Sequence, residues 1–207
     1  MPEVTAVFWD LGGVVLTNGW DRTARHQAIE KFGLDVAEFD ERHQAFVNGF
    51  ETGTISLAEY MQRTVFYRPR AFTPDDFKKF AFERSQILPE SFPVLAELAK
   101  TGKYFVAALN NESFEINEYR IDTFNLRAHF VAFFSSCYLG LRKPENEIYR
   151  RALFMSHRKP AECIFIDDRE LNVESAKQVG MRGIHFQNAK QLREDLAAEG
   201  VKLEGAK

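Results

Sequence analysis

What most constrains this chain is a set of five short apolar runs, rich in β-branched and aromatic residues. They are Val4 to Trp9, Tyr104 to Leu109, Phe130 to Ser135, Cys163 to Ile166 and Gly183 to Phe186. Runs of this length and composition read as buried strands. After the second run a helical pattern separates each from the next, as in Ser113 to Phe124, Glu145 to Ser156 and Arg169 to Val179. Such alternation predicts an α/β fold: a three-layer, Rossmann-like parallel sheet covered by helices on both faces. An open parallel sheet binds its ligand beyond the carboxyl ends of its strands. The residues that follow each run are therefore where chemistry is expected.

The first connection breaks this rhythm. About 90 residues separate the first two runs, against the roughly 30 of a simple βαβ unit. Arg22 to Leu88 reads as helical throughout, with Val36, Phe39, Phe46, Val47 and Phe50 recurring at helical spacing. Ser56-Leu57-Ala58-Glu59 has the pattern of a capping box, and Thr73-Pro74-Asp75-Asp76 that of a helix start. The expectation is a discontinuous α/β core, residues 1–17 and 89–207, with a helical insert at 18–88. Its Phe-rich stripes would form its own core, with hinges at Thr17 to Gly19 and around Leu88-Pro89.

Composition excludes several function classes. Lys and Arg number 27 against 30 Asp and Glu, a net charge of -3, and no basic run offers a nucleic-acid footprint. No apolar stretch approaches the roughly 18 residues of a membrane span, and the first residues lack a signal-peptide pattern. A soluble, cytoplasmic protein is expected. Cys137 and Cys163 lie in apolar, strand-like runs and read as reduced core residues. His26, His43, His129, His157 and His185 show no zinc spacing and read as surface or packing residues. No Gly-x-Gly-x-x-Gly follows a strand, which argues against a dinucleotide site.

The polar residues at the ends of the runs carry the chemistry. The first run ends in Trp9-Asp10-Leu11-Gly12-Gly13. A carboxylate at the tip of a buried strand, followed by two glycines that let backbone approach a ligand, suits a site, although Asp10 alone could start a turn. The fourth run ends in Asp167-Asp168. In a parallel sheet all three acids share one edge and would repel each other without a cation, and an all-oxygen set of this kind suits Mg²⁺. A helix N-cap would explain one of the paired acids but not both. The second run ends in Asn110-Asn111-Glu112-Ser113, which reads either as a turn or as hydrogen-bond donors beside a helix start able to hold an anion. Pro144 fits the first turn of a helix, which puts Lys143 where the helix dipole gains nothing from a cation. Lys143 would then bind a phosphate or hold Asp10 ionised, unless it is a solvated surface residue.

In this order, the four motifs resemble those of the haloacid dehalogenase superfamily over essentially the whole chain, and the helical insert resembles that family's cap. The Asp-Leu-Gly-Gly-Val form is similar to a branch containing sugar-phosphate phosphatases. The resemblance implies that Asp10 is the nucleophile and forms an aspartyl-phosphate that water hydrolyses. It implies a Mg²⁺ site made of Asp10, the Gly12 carbonyl, Asp168 and Asp167, the last directly or through water. It also implies that Lys143 and Asn111 bind the phosphoryl oxygens or position the nucleophile, and that the Asn110 amide replaces a usual Ser or Thr in binding the phosphate. Position 12 departs from the pattern, because most phosphatases of the family carry there a second Asp as general acid and base. Such help is commonly worth about 10²–10⁴-fold, so its loss should hurt poor leaving groups most. The cap would choose the substrate; Trp20, Arg25 and Glu51 could face the site but read as ordinary cap residues. The expected activity is Mg²⁺-dependent hydrolysis of a small phosphorylated metabolite by a monomer or homodimer. A catalytically silent binding protein and a metal-independent 2-haloacid dehalogenase are the alternatives, the paired acids counting against the latter.

Overall fold

A computed structural model describes residues 2–203 of the chain. Five strands, β1 (Ala6–Trp9), β2 (Phe105–Ala108), β3 (Ala132–Phe133), β4 (Cys163–Asp167) and β5 (Arg182–His185), form one parallel sheet in the order β3-β2-β1-β4-β5. β1 is central and buried along its whole length. Its side chains alternate between two cores, as the strand period of two requires: Val7 and Trp9 enter one, Ala6 and Phe8 the other. In register, Trp9 lies opposite Ala108 and Ile166, so the residues following these three reach the same edge.

Ten helices accompany the sheet among the described residues. Four lie between β1 and β2: α1 (Arg22–Phe32), α2 (Val36–Glu51), α3 (Leu57–Thr64) and α4 (Pro74–Glu83). The remaining helices are α5 (Phe92–Lys100), α6 (Phe114–Thr123), α7 (Ser136–Leu139), α8 (Asn146–Ser156), α9 (Glu170–Gln178) and α10 (Ala189–Ala198). Helices α5 and α10 cover one face of the sheet through Val94, Leu95, Leu98, Leu192 and Leu196. Helices α8 and α9 cover the other through Ile148, Tyr149, Ala152 and Ala176. The α/β layering is the one expected.

The insert is less continuous than its periodicity suggested. Each of its helices starts at a side-chain cap, Asp21, Asp35, Ser56 or Thr73, and the Thr73–Asp76 capping box is complete. Caps of this kind are worth about 1 kcal/mol each. Residues 65–73 and 84–91 are not helical; Pro69 and Pro89, which cannot donate to a helix ladder, lie within them. Trp20, Phe39, Phe50, Tyr60, Phe77 and Phe80 form a separate apolar cluster, joined from the core side by Ile116 of α6. The third strand is also shorter than its apolar run. It pairs only with β2 at the sheet edge, and Phe130 and Phe134 on either side turn into different cores. Cys137 accordingly sits half-buried in α7 rather than on a strand, while Cys163 is buried in β4; both are free thiols.

Where the insert leaves and rejoins the core, the two backbones pair. Leu16 and Ile87 form an antiparallel bridge, Thr17 N–H donates to Gln86 O (2.8 Å) and Leu88 N–H to Val15 O (3.0 Å). Arg120 of α6, fully buried, fastens this junction: Nε donates to Ser85 Oγ (2.9 Å) and Nη2 to Thr17 O (3.0 Å), and Nη1 pairs with Glu112 Oε2 (3.1 Å). Gly19, at φ 64°, packs so closely on this guanidinium that a Cβ there would overlap it.

Candidate active site

The tips of β1 and β4 carry the acids. Asp10 N–H donates to Ile166 O (2.8 Å), which extends the β1–β4 ladder by one residue and fixes Asp10 beside Asp167. Oxygens of Asp10, Asp167 and Asp168 all lie within 4.8 Å of one another. Lys143 Nζ stands among them, 2.9 Å from Asp10 Oδ1 and 2.6 Å from Asp167 Oδ2. Asp10 Oδ1 also accepts from Leu11 N–H (2.8 Å), so both bonds fall on one oxygen.

The paired acids differ in what holds them. Asp167 is fully buried and saturated: besides Lys143 it accepts from Arg169 N–H (2.8 Å) and twice from Asn172 Nδ2 (3.0 Å each). Asp168 is only partly buried and lines a cavity. Neither acts as the helix N-cap that could have explained one of them: the cap of α9 is Arg169, and the acid that bonds near that helix start is Asp167.

Lys143 is neither solvated nor at a helix N-terminus. It is 2% exposed, its bond to Pro144 is cis, and α8 begins only at Asn146 behind Glu145. Asn111 brackets its backbone, accepting from Lys143 N–H (2.8 Å) and donating to Lys143 O (2.9 Å). The Asn111 amide is thus used to hold the lysine, although Asn111 still borders the cavity. Asn110 is a clearer departure from the phosphoryl role expected of it. It is 1% exposed and both ends of its amide are engaged, donating to Asn117 Oδ1 (3.0 Å) and accepting from Ser135 Oγ (2.8 Å). Asn110 does not line that cavity, and a phosphate, being an acceptor, could engage only its buried Nδ2. The anion held at the α6 start is the chain's own: Ser113 N–H donates to Glu112 Oε1 (2.9 Å).

Electrostatics follow from burial. Burial pushes the Asp10 carboxyl up to about 7, the Lys143 charge opposing and the Asp167 and Asp168 charges adding to the effect. Burial and Asp167 also raise Asp168, against a hydrogen bond from Asn18. Burial disfavours the Lys143 charge, but Asp10 and Asp167 outweigh it and hold the ammonium above its ordinary value. Three carboxylates against one ammonium leave two formal negative charges at the strand tips. That imbalance, with oxygen-only donors, fits a divalent cation such as Mg²⁺. The backbone bonds of the following turn use the Leu11 and Leu16 carbonyls and leave that of Gly12 unengaged among the described residues.

Asp10 and Asp168 open into a cavity of about 300 Å³. Its roof comes from the insert: Trp20, Arg25, His43, Val47, Phe50 and Glu51. Glu51 pairs with Arg142 of the core (2.7 Å) and accepts from Ser136 Oγ through its backbone carbonyl (2.6 Å), so α2 is fastened over the site. Burial raises the Glu51 carboxyl in spite of Arg142. His43 is buried, and burial with the Arg25 charge lowers it to about 4. The neutral ring shares a 2.7 Å hydrogen bond through Nδ1 with the Tyr60 hydroxyl, which accepts from Trp20 Nε1 (3.2 Å). His43 read as an ordinary packing residue, and Trp20, Arg25 and Glu51 as ordinary cap residues. The signal that could have found His43 is its spacing with Val47 and Phe50 at i, i+4 and i+7, a polar ring in an apolar stripe.

The chain is 31% identical to flavin mononucleotide hydrolase 1 of Arabidopsis thaliana over 83% of its length and 69% of that protein's. It is 27% identical to D-ribitol-5-phosphate phosphatase of Bacteroides thetaiotaomicron, over 92% of this chain and 95% of that one. Its fold matches the crystal structure of a haloacid dehalogenase family enzyme, bt-2542, from the same bacterium. The TM-score is 0.80 at 21% identity, over 94% of this chain and 99% of that one. Another crystal structure of bt-2542 is a complex with magnesium and inorganic phosphate. No helix among the described residues is long and apolar enough to cross a membrane. The family model for haloacid dehalogenase-like hydrolases matches residues 4–180, and the chain belongs to that family.

Proposed function

We propose that this chain is a Mg²⁺-dependent phosphatase of small phosphorylated metabolites, working through an aspartyl-phosphate on Asp10. The observation that carries the reading is that Asp10 and Asp168 both open into one cavity while Lys143, held from behind by Asp167 and Asn111, fixes the Asp10 carboxylate. The phosphate-ester names of the two relatives support the substrate class. Asp10, Asp168 and the Gly12 carbonyl would hold the cation, with Asp167 behind them. Bound there, Mg²⁺ supplies charge neutralisation between the carboxylate and an approaching phosphate dianion.

The chain's own groups do the remaining work. An Asp10 oxygen forms a bond to phosphorus as the ester P–O bond breaks, and the leaving oxygen departs as an alcohol after taking a proton from water. Water then attacks the phosphorus of the acyl phosphate, which releases phosphate and restores the carboxylate. Splitting one displacement into two is the gain from covalent catalysis. Lys143 lowers the cost of bringing a dianion to a carboxylate, and the roof excludes bulk water. Position 12 offers no proton, so esters whose leaving groups need little protonation should react fastest.

The test is phosphate release from a small aryl phosphate, with Mg²⁺ and with EDTA, using wild type and Asp10→Asn. Release that needs both the cation and Asp10 is the expected result. Release unchanged in Asp10→Asn would exclude the covalent route, and no release from folded, Mg²⁺-loaded wild type would leave a binding protein.

A further inference from the structure

Gly12 lacks a side chain, but the space beside it is not empty. A Cβ built on Gly12 would lie 2.9 Å from Asn18 Oδ1 and 3.4 Å from Asn18 Cα. One built on Gly13 would overlap the Asp168 carboxylate and come within 3.1 Å of Asn18 Nδ2. The Asn18 amide therefore lies across the glycine pair, its oxygen beside Gly12 and its nitrogen on the side of Asp168, to which it hydrogen-bonds. Although the Asn18 side chain is exposed, its backbone is fixed on both sides. Thr17 O is held by Arg120 Nη2, and Gly19 packs against the same guanidinium in a conformation with positive φ. Nothing in secondary structure requires Asn at this point.

We propose that Asn18 occupies the place a side chain at position 12 would take, and that it serves as the positioning residue for Asp168. Positions 12 and 18 are then coupled through one space: a side chain at position 12 enters it only by pushing the Asn18 amide aside, off Asp168. An amide can steer a carboxylate by donating a hydrogen bond, but it has no proton to give at working pH. The exchange keeps the cation-binding acid oriented while removing acid–base capacity from this side of the site. Partners that orient a ligating carboxylate typically matter by 10–100-fold in metal affinity or activity.

A double-mutant cycle over Gly12→Asp and Asn18→Ala tests this, since coupled residues depart from additivity. The full chain is studied, and two quantities are read without turnover: the Mg²⁺ dissociation constant by calorimetry, and the melting temperature free of divalent cations. Asn18→Ala alone should weaken Mg²⁺ binding by about 10-fold, the lower end of the range for such partners. Gly12→Asp alone should melt below wild type and bind Mg²⁺ poorly, because the new carboxyl meets Asn18. Adding Asn18→Ala to Gly12→Asp should recover melting temperature and Mg²⁺ affinity together. With an alkyl phosphate, the double variant should also gain kcat over Asn18→Ala and lose that gain at high pH, where the new carboxyl no longer carries its proton. Additive effects in the cycle, or Mg²⁺ affinity within about 2-fold of wild type in Asn18→Ala, would overturn the proposal. If Gly12→Asp does not fold, Asn18→Ala and Asn18→Ser decide by calorimetry alone, Ser being expected to retain part of the affinity that Ala loses. Wild type that binds Mg²⁺ without hydrolysing phosphate esters would sink the phosphatase reading and leave this one standing.

Discussion

The floor and the roof of the cavity are built by different means. On the floor, side chains are placed by parallel strands: Asp10 continues the β1–β4 ladder by one bond, and Asp167 accepts four bonds from three residues. On the roof, His43, Val47, Phe50 and Glu51 are placed by helix faces that pack through aromatic side chains. Among the described residues, two polar contacts, both at Glu51, fasten α2 to the core. A strand tip fixes a group through hydrogen bonds that cannot shift without breaking the sheet, whereas a helix face can repack. The groups proposed to react stand on the first kind of support, and the residues that would meet a leaving group on the second.

Breaking the floor should cost most. Asp10→Asn should lower phosphate release by about 10³-fold or more, as removal of a nucleophile does, with the melting temperature kept or raised because the substitution relieves charge repulsion. The junction between floor and roof comes next. Arg120→Met leaves Glu112 buried without its cation and should destabilise the fold by about 3–5 kcal/mol, read from urea unfolding. Arg120→Met with Glu112→Leu should recover much of that loss, since removing both charges avoids an unpaired one.

The roof should respond to pH through His43. Its folded-state value of about 4 lies below the ordinary 6.5, so the neutral ring's contribution is complete above pH 6.5 and is lost as pH falls toward 4. The loss can reach about 3 kcal/mol. Urea titrations across that range should show it in wild type and a flatter curve in His43→Gln. Smallest is the effect of Arg25→Gln. Arg25 borders the cavity with its Nε buried and unpartnered, so its loss should raise KM several-fold, about 1 kcal/mol, and leave kcat near wild type. A fall in kcat as large as that of Asp10→Asn would erase the distinction between floor and roof.

The same contrast decides what could be read from the sequence. Strand runs ending in Asp10 and in Asp167-Asp168 are legible because apolar runs reveal a sheet and a sheet has one ligand-binding edge. The partners of those acids are less legible. Asn110 and Asn111 look alike in sequence, but one faces Asn117 and Ser135 while the other brackets Lys143. Lys143 owes its place to a loop held by Asn111 rather than to a helix start. Roof residues were legible as helix but not as site, because which face of α2 looks down depends on how the whole insert packs. Asn18 carried no signal at all; only its closeness to Gly12 gives it meaning.

The bridge between Leu16 and Ile87 has a consequence for how such a chain can change over time. Because departing and returning backbones are already closed on each other, the excursion between them is a side branch of the chain path. Lengthening, shortening or rewriting that branch alters a loop closed at its base, for which added length costs only slowly growing entropy. Selection can therefore try new roofs on an old floor, one insertion at a time, without reopening the sheet that holds Asp10.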